Sequence, residues 1–278
     1  MFYLLKRFIQ MKILLNKNDL NEALNRVSDL GFVPTMGSLH KGHISLIKKS
    51  KNECKKTLVS IFVNPTQFNN KRDYSKYPRN RKKDLKILKG LKVNFVFLPN
   101  KKDIYNFKRK IRLAKKDKIL CAKYRKGHFE GVIDVMDRLS KLIKPKKIFM
   151  GEKDFQQFFL VRNYLKKRVK SKVILCKTIR DNHKLALSSR NLHLNNKELN
   201  TARLISKRLS NFKNKLNKTR NIKDLISIKR EEFTHFKNIK IEYLELRNKL
   251  TLKKTTKIKN SKIFIAYYIK DVRLIDNF

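Results

Sequence analysis

Apolar positions along the chain follow two periods that take turns. Short runs rich in β-branched and aromatic residues occur at 11–15 ("MKILL"), 32–36 ("FVPTM"), 57–63 ("TLVSIFV"), 93–99 ("VNFVFLP"), 147–150 ("KIFM") and 172–177 ("KVILCK"). Each reads as a buried strand. Between them lie stretches with apolar residues three or four apart, which reads as helix. Leu20, Leu24, Val27 and Leu30 predict a helix over 17–30, with Gly31 as its stop. Further helices are predicted at 43–55, at 80–90 closed by Gly90, at 132–144 and at 155–168. The 132–144 helix carries Val132, Val135, Met136, Leu139 and Leu142 on one side. Residues 101–126 read as irregular and basic.

Strand and helix alternating in this way predict an α/β fold with a parallel, doubly wound sheet. From about residue 191 the texture changes. Helices at 196–216 and 221–236 precede strands at 240–248 and 262–269, which reads as a smaller α+β domain. The expected division is 1–186 and 187–278. No repeat is evident. Ligands of parallel sheets bind beyond the carboxyl ends of the strands. Polar loops follow residues 35, 63, 150 and 179, so those loops are where chemistry is expected.

Composition adjusts this picture little. The 278 residues are 41% hydrophobic, enough for a sizeable core, and disorder is not expected. The net charge of +49 would ordinarily suggest a nucleic-acid partner. Yet the lysines are spread over the whole length. Asn, Ile and Phe are abundant and Trp is absent, which reads as compositional drift rather than a selected polyanion site. No specific nucleic-acid partner is therefore expected. Cys54, Cys121 and Cys176 are odd in number and far apart, so no disulfide framework is implied and a reducing cytoplasm fits. No apolar run reaches the length of a membrane span. The first ten residues make a poor signal peptide, because Lys6 and Arg7 break the apolar run. Met11 reads as an alternative start.

Four motifs carry candidate chemistry. In "GSLHKGH" (37–43), Gly37 and Gly42 have P-loop spacing, but His43 and Ile44 stand where Lys and Ser or Thr would be needed. What remains is a strand, a glycine turn and His-x-Gly-His at a helix N-terminus. Free N–H groups and the helix dipole there attract phosphate, and His40 and His43 add donors. The plainer reading is a turn with surface histidines or a chance metal pair. In "NPTQF" (64–68), the neutral amides of Asn64 and Gln67 suit hydroxyls and a carboxylate; an ordinary Asn-Pro turn is the alternative. In "GEKDFQQ" (151–157), Lys153 is placed to neutralise phosphate, with Asp154 and Gln157 on one helix face, unless the segment is only a helix cap. In "LALSSRN" (185–191), two serines and Arg190 offer donors to a triphosphate, or form a serine-rich turn between domains. His128, in "KGHFEGV" (126–132), reads as structural in preference to catalytic.

Together with "YPR" (77–79) and "RLIDN" (273–277), and in this order, these motifs resemble the series found in the pantoate–β-alanine ligase family, which belongs to the His-x-Gly-His nucleotidyltransferases. The resemblance covers residues 31 to 276. It implies a Rossmann-like N-terminal domain, a small C-terminal domain and a cytoplasmic homodimer. It also implies ATP-dependent condensation of pantoate with β-alanine, in the presence of Mg²⁺, through a pantoyl adenylate. Met36, Gly37, Ser38, Leu39, His40, Lys41, Gly42 and His43 would line the ATP site, with His43 as the catalytic histidine. Gly151, Glu152, Lys153, Asp154, Ile179, Leu187, Ser188, Ser189 and Arg190 would also bind ATP. Gln67 and Gln157 would hold pantoate, and the Gln67 region would later receive β-alanine. Magnesium would fall to Asp84, which lacks the acidic neighbour usual in the family. Two further departures are His183-Lys184 in place of Asp-Gly, expected to stiffen or reshape that turn, and Lys270-Asp271-Val272 in place of Gly-Arg-Thr.

The chemistry fits the residue types. A carboxylate is already ionised at neutral pH, so attack on the α-phosphate needs no general base. It needs cations and donors around the phosphates, and no nucleophilic side chain. A rival that leaves AMP on its product is disfavoured by the pairing of "NPTQF" with "GEKDFQQ".

Overall fold

A computed structural model describes residues 10–216 and 221–278. The segment ahead of the alternative start at Met11 falls, through residue 9, outside the described residues. In chain order the elements are β1 (Lys12–Leu14), α1 (Lys17–Leu24), β2 (Leu30–Thr35), α2 (Lys41–Glu53), β3 (Lys56–Ile61), α3 (Lys71–Lys76), α4 (Arg81–Gly90), β4 (Phe95–Phe97), α5 (Lys101–Ile104) and α6 (Cys121–Tyr124). Then come α7 (His128–Ile143), β5 (Lys147–Gly151), α8 (Phe155–Leu165), β6 (Lys172–Cys176), α9 (Asn196–Leu216), α10 (Ile222–Thr234), β7 (Ile239–Asn248), β8 (Ser261–Ile269) and β9 (Val272–Asn277).

β1 to β6 form one parallel sheet in the order β1-β4-β3-β2-β5-β6, so the fold is α/β as the alternation predicts. Successive strand residues face opposite sides of the sheet. Phe32 and Leu58 pack on the side of α7 and α8, while their neighbours Val33 and Val59 pack against α2 and α4. Both faces are therefore covered, which is why the strands are nearly continuous in apolar residues. The chain leaves β2 toward β3 on one side and later enters β5 on the other. That reversal opens a crevice beyond the carboxyl ends of β2 and β5.

β7, β8 and β9 make an antiparallel sheet, covered by α9 and α10 around Ile205, Leu209, Phe233, Ile263 and Ile265. Its other face reaches the first core, where Tyr243, Leu252, Phe264 and Ala266 join the α7–α8 cluster. Among the described residues no helix is long and apolar enough to cross a membrane. The three cysteines are free and buried.

Four expectations change. The helix predicted over 17–30 ends at Leu24, and Leu30 and Gly31 open β2. Gly31 is no helix stop. A Cβ there would sit 2.2 Å from the Ser50 hydroxyl and 3.1 Å from the Phe149 ring, so glycine lets α2 lie directly on the strand. Helix α7 begins at His128, four residues ahead of its predicted start. The segment 101–126 holds the short helices α5 and α6. Finally, the terminal "RLIDN" lies in strand β9.

Candidate active site

Four neighbouring strands, β3-β2-β5-β6, carry their loops to one cleft of about 270 Å³. After β2 the chain turns through Gly37 and Ser38, both left-handed at φ 84° and 53°. The turn is held from below by Asp84 on α4. Its two carboxylate oxygens accept the Ser38 and Leu39 N–H groups at 2.9 and 2.8 Å. Asp84 is 2% exposed, and a Cβ on Gly37 would lie 3.0 Å from it. The Thr35 hydroxyl adds a further brace, accepting from Gly37 N–H and donating to the Ser60 carbonyl. The side chain given to magnesium by resemblance thus accepts two backbone N–H groups and templates the glycine turn.

The turn delivers two histidines to the start of α2. Gly42 N–H donates to His40 Nδ1 at 3.1 Å, and His40 N–H donates to His43 Nδ1 at 3.3 Å. A backbone N–H only donates, so both Nδ1 atoms are unprotonated. Each ring therefore carries its proton on Nε2. The ring centroids lie 4.2 Å apart. Burial, with Lys153 nearby, pushes His40 down to about 4. Burial, then His40 and Lys153, push His43 down to about 3. At neutral pH the pair is two uncharged Nε2–H donors at a helix N-terminus.

The loop after β3 is fixed by contact with α7. A Cβ on Gly131 would lie 2.3 Å from the Thr66 carbonyl, so the glycine permits helix and loop to touch. Asn64 Nδ2 donates to the Gly131 carbonyl and to Gln67 Oε1, at 3.2 and 3.1 Å. His128 also reaches this loop, through Nδ1 to the Gln67 carbonyl at 2.6 Å. Asn64 and Gln67 both line the cleft, with the Asn64 amide also tying the loop to α7.

After β5, a 3-10 turn of Glu152–Asp154 brings Lys153 to the cleft. It is tied to the second sheet. Asn277 Nδ2 donates to the carbonyls of Glu152 and Lys153 at 2.8 and 3.0 Å, and Lys262 pairs with Glu152 at 3.0 Å. After β6, Leu187 N–H donates to the Ile179 carbonyl at 3.0 Å, closing a hairpin. Within it Arg180 makes a two-pronged contact with Asp276 at 2.7 and 2.8 Å. The end of β9 therefore braces two cleft loops at once. Lys184 takes φ 70° at the position where the family resemblance expects glycine, and Lys270 takes 48° at the other. The hairpin closes with a lysine held left-handed.

Met36, His40, Gly42, His43, Gln67, Gly151, Lys153, Asp154, Gln157, Ile179, Leu187, Ser188, Ser189 and Arg190 line the cleft. Gly37, Ser38, Leu39, Glu152 and Asp84 lie behind it as supports, and Lys41 is exposed. Tyr77, Lys177 and Arg125, to which the sequence assigned no role, also line the cleft. Tyr77 lies beside Ser189, and burial raises its phenol above the usual range. Lys177 follows β6 directly. Arg125 precedes the "KGHFEGV" motif, where a cation in a basic segment drew no notice.

Among the described residues no three His, Cys, Asp or Glu side chains gather as a metal site. Asp154 is the carboxylate on the cleft wall.

A sequence model of pantoate-beta-alanine ligase matches residues 11–278. The pantothenate synthetase of Francisella philomiragia is 41% identical over 268 residues, covering 94% of this chain and 93% of that protein. The crystal structure of pantothenate synthetase from Thermus thermophilus superposes with a TM-score of 0.91 at 29% identity, covering 96% of this chain and 99% of that one. The Francisella tularensis ligase, crystallised with beta-gamma ATP and beta-alanine, superposes with a TM-score of 0.81 at 37% identity and 97% coverage of both chains. The loops that meet at the β2–β5 crevice, and the whole described chain around them, place this protein in the pantoate–β-alanine ligase family.

Proposed function

We propose that the cleft joins pantoate to β-alanine at the expense of ATP, releasing AMP and diphosphate by way of a pantoyl adenylate. The observation that carries this reading is the pair of neutral Nε2–H donors, His40 and His43, facing a cleft that also holds Lys153 and the amides Gln67 and Gln157. ATP places its phosphates against the start of α2, where the helix dipole and the two imidazole Nε2–H groups favour anions. Ser188, Ser189 and Arg190 take the outer phosphates. Gln67 and Gln157 hold pantoate by its hydroxyls and leave its carboxylate free to attack. As charge builds on the α-phosphate, His43 Nε2–H and Lys153 strengthen their hydrogen bonds to it. The apolar α7 face of Val132, Val135, Met136 and Leu139 keeps water from the adenylate until the amine arrives.

Asp154, the carboxylate on the cleft wall, would be the chain's contribution to holding Mg²⁺ brought with ATP, and the ion would supply charge neutralisation at the phosphates. The chain divides near residue 186, with the β7–β9 sheet acting as a lid that carries the braces on Lys153 and Arg180. The enzyme works in the cytoplasm as a homodimer.

The test is AMP release. The wild type is expected to form AMP only when ATP, pantoate and β-alanine are all present. AMP release indifferent to pantoate, or ADP as product, contradicts the proposal.

A further inference from the structure

The cleft contains a cation that the adenylation step leaves unused. Arg125 follows α6 and lines the cleft. Its fellow Arg190 is paired with Asp73 at 3.2 Å, and Lys153 has Asp154 at 3.9 Å. Arg125 has no carboxylate partner among the described residues. Its hydrogen bond runs from Nη1 to His128 Nε2 at 2.8 Å. A guanidinium only donates, so His128 Nε2 accepts and its Nδ1–H must donate to the Gln67 carbonyl. His128 is 7% exposed, and burial with the neighbouring Arg125 charge pushes it down to about 3. A neutral imidazole thus fixes Arg125 relative to Gln67 without cancelling its charge. Burial, with Arg190 and Arg273 nearby, lowers Arg125 itself to about 10. A cation held in this way is stabilised when an anionic ligand supplies the missing counter-charge.

Which anion that is follows from the chemistry proposed above, on which this inference rests. The pantoate carboxylate must keep an electron pair for phosphorus, and a two-pronged clamp would occupy it. The ATP phosphates have His40, His43, Lys153 and Arg190. The carboxylate of the amine substrate is untouched from start to finish, so it can be clamped throughout. We propose that Arg125, positioned by His128, is the anchor for the carboxylate of the amine substrate, aiming its amino group past Gln67 at the activated acyl carbon. The planar fork of arginine matches a carboxylate in two parallel bonds, which lysine does not reproduce. The site would therefore select short amino acids with a free carboxylate over neutral amines.

The experiment compares wild type with Arg125→Gln and Arg125→Lys in the full-length protein, in three assays. The first is pantoate-dependent exchange of diphosphate into ATP without β-alanine. The second is ligation to β-alanine, and the third is ligation to β-alaninamide, which lacks the charge. Exchange is expected to be unchanged in both variants. The KM for β-alanine rises roughly 10–100-fold in Arg125→Gln, the cost of a charged hydrogen-bonded pair, and less in Arg125→Lys. Wild type prefers β-alanine to its amide, and Arg125→Gln loses that preference. Exchange falling in step with ligation, or an intact preference in Arg125→Gln, overturns the proposal. A wild type without pantoate-dependent exchange removes the ligase reading itself, and the anchor with it.

Discussion

Replacing Asp84 by Asn separates a structural carboxylate from a metal ligand. In the wild type both oxygens accept loop N–H groups, at 2.9 and 2.8 Å, in a site only 2% exposed. The amide keeps one acceptor and turns an NH₂ toward the other N–H. One charge-assisted bond is lost and the second loses its charge, a cost of roughly 2–3 kcal/mol. If the cost falls on the Gly37–Ser38 turn alone, the correctly formed loop becomes rarer by roughly 30–150-fold, and pantoate-dependent diphosphate exchange slows to match. If it falls on the whole domain, Tm drops by roughly 5 °C or more. In either case the Mg²⁺ concentration giving half-maximal exchange stays where it was. Titrating Mg²⁺ against exchange, beside a thermal melt, reads both quantities. A raised Mg²⁺ requirement, a rate restored by excess Mg²⁺ and an unchanged Tm would together refute the template argument and make Asp84 a metal ligand.

Other outcomes follow from the same geometry. His43→Ala is expected to slow exchange by roughly 10²–10³, while His43→Gln, whose amide can place an N–H near the lost Nε2–H, recovers part of the rate; equal rates in the two variants count against a donor role. His40→Asn keeps a good N-cap for Gly42 N–H, so its melting temperature should match wild type, whereas His40→Ala loses about 1 kcal/mol. His40, His43 and His128 are held at about 4, 3 and 3 against an ordinary 6.5. The unfolded chain therefore takes up protons below 6.5 that the native state refuses. Stability is full above that value and declines as pH falls toward 4, by up to about 1.4 kcal/mol per pH unit for each histidine. Urea denaturation across this window checks the slope, and a flat profile contradicts it. Lys184→Gly and Lys270→Gly relieve left-handed lysines and should each stabilise by about 1 kcal/mol; a loss in the melt would mean that these side chains contribute more than their backbones cost.

The strand order was not written in any one segment, but the alternation of strand and helix was enough to predict a parallel sheet with its loops at one end. Local period misled where packing overrode it. Leu20, Leu24, Val27 and Leu30 keep helical spacing, yet Leu30 pairs with Lys56 in the sheet. The start of α7 was hidden because Gly127 and Gly131 look like breakers, whereas one is the left-handed N-cap and the other makes room for Thr66. The cleft motifs were readable because histidine, glycine, amide and serine stand out in a lysine-rich chain. The same lysines and arginines masked Arg125. The bracing roles of Asp84 and Asn277 could not be read, since their partners lie 45 or more residues away in sequence and are backbone atoms.

The central claim is that the pantoate carboxylate attacks the α-phosphate before the amine takes part. Pantoate labelled with oxygen-18 in its carboxylate, turned over with ATP and β-alanine, tests it most directly. The account predicts one labelled oxygen in the AMP released, because that atom bridges carbon and phosphorus and leaves with phosphorus. AMP free of the label, or label appearing in diphosphate, would contradict it.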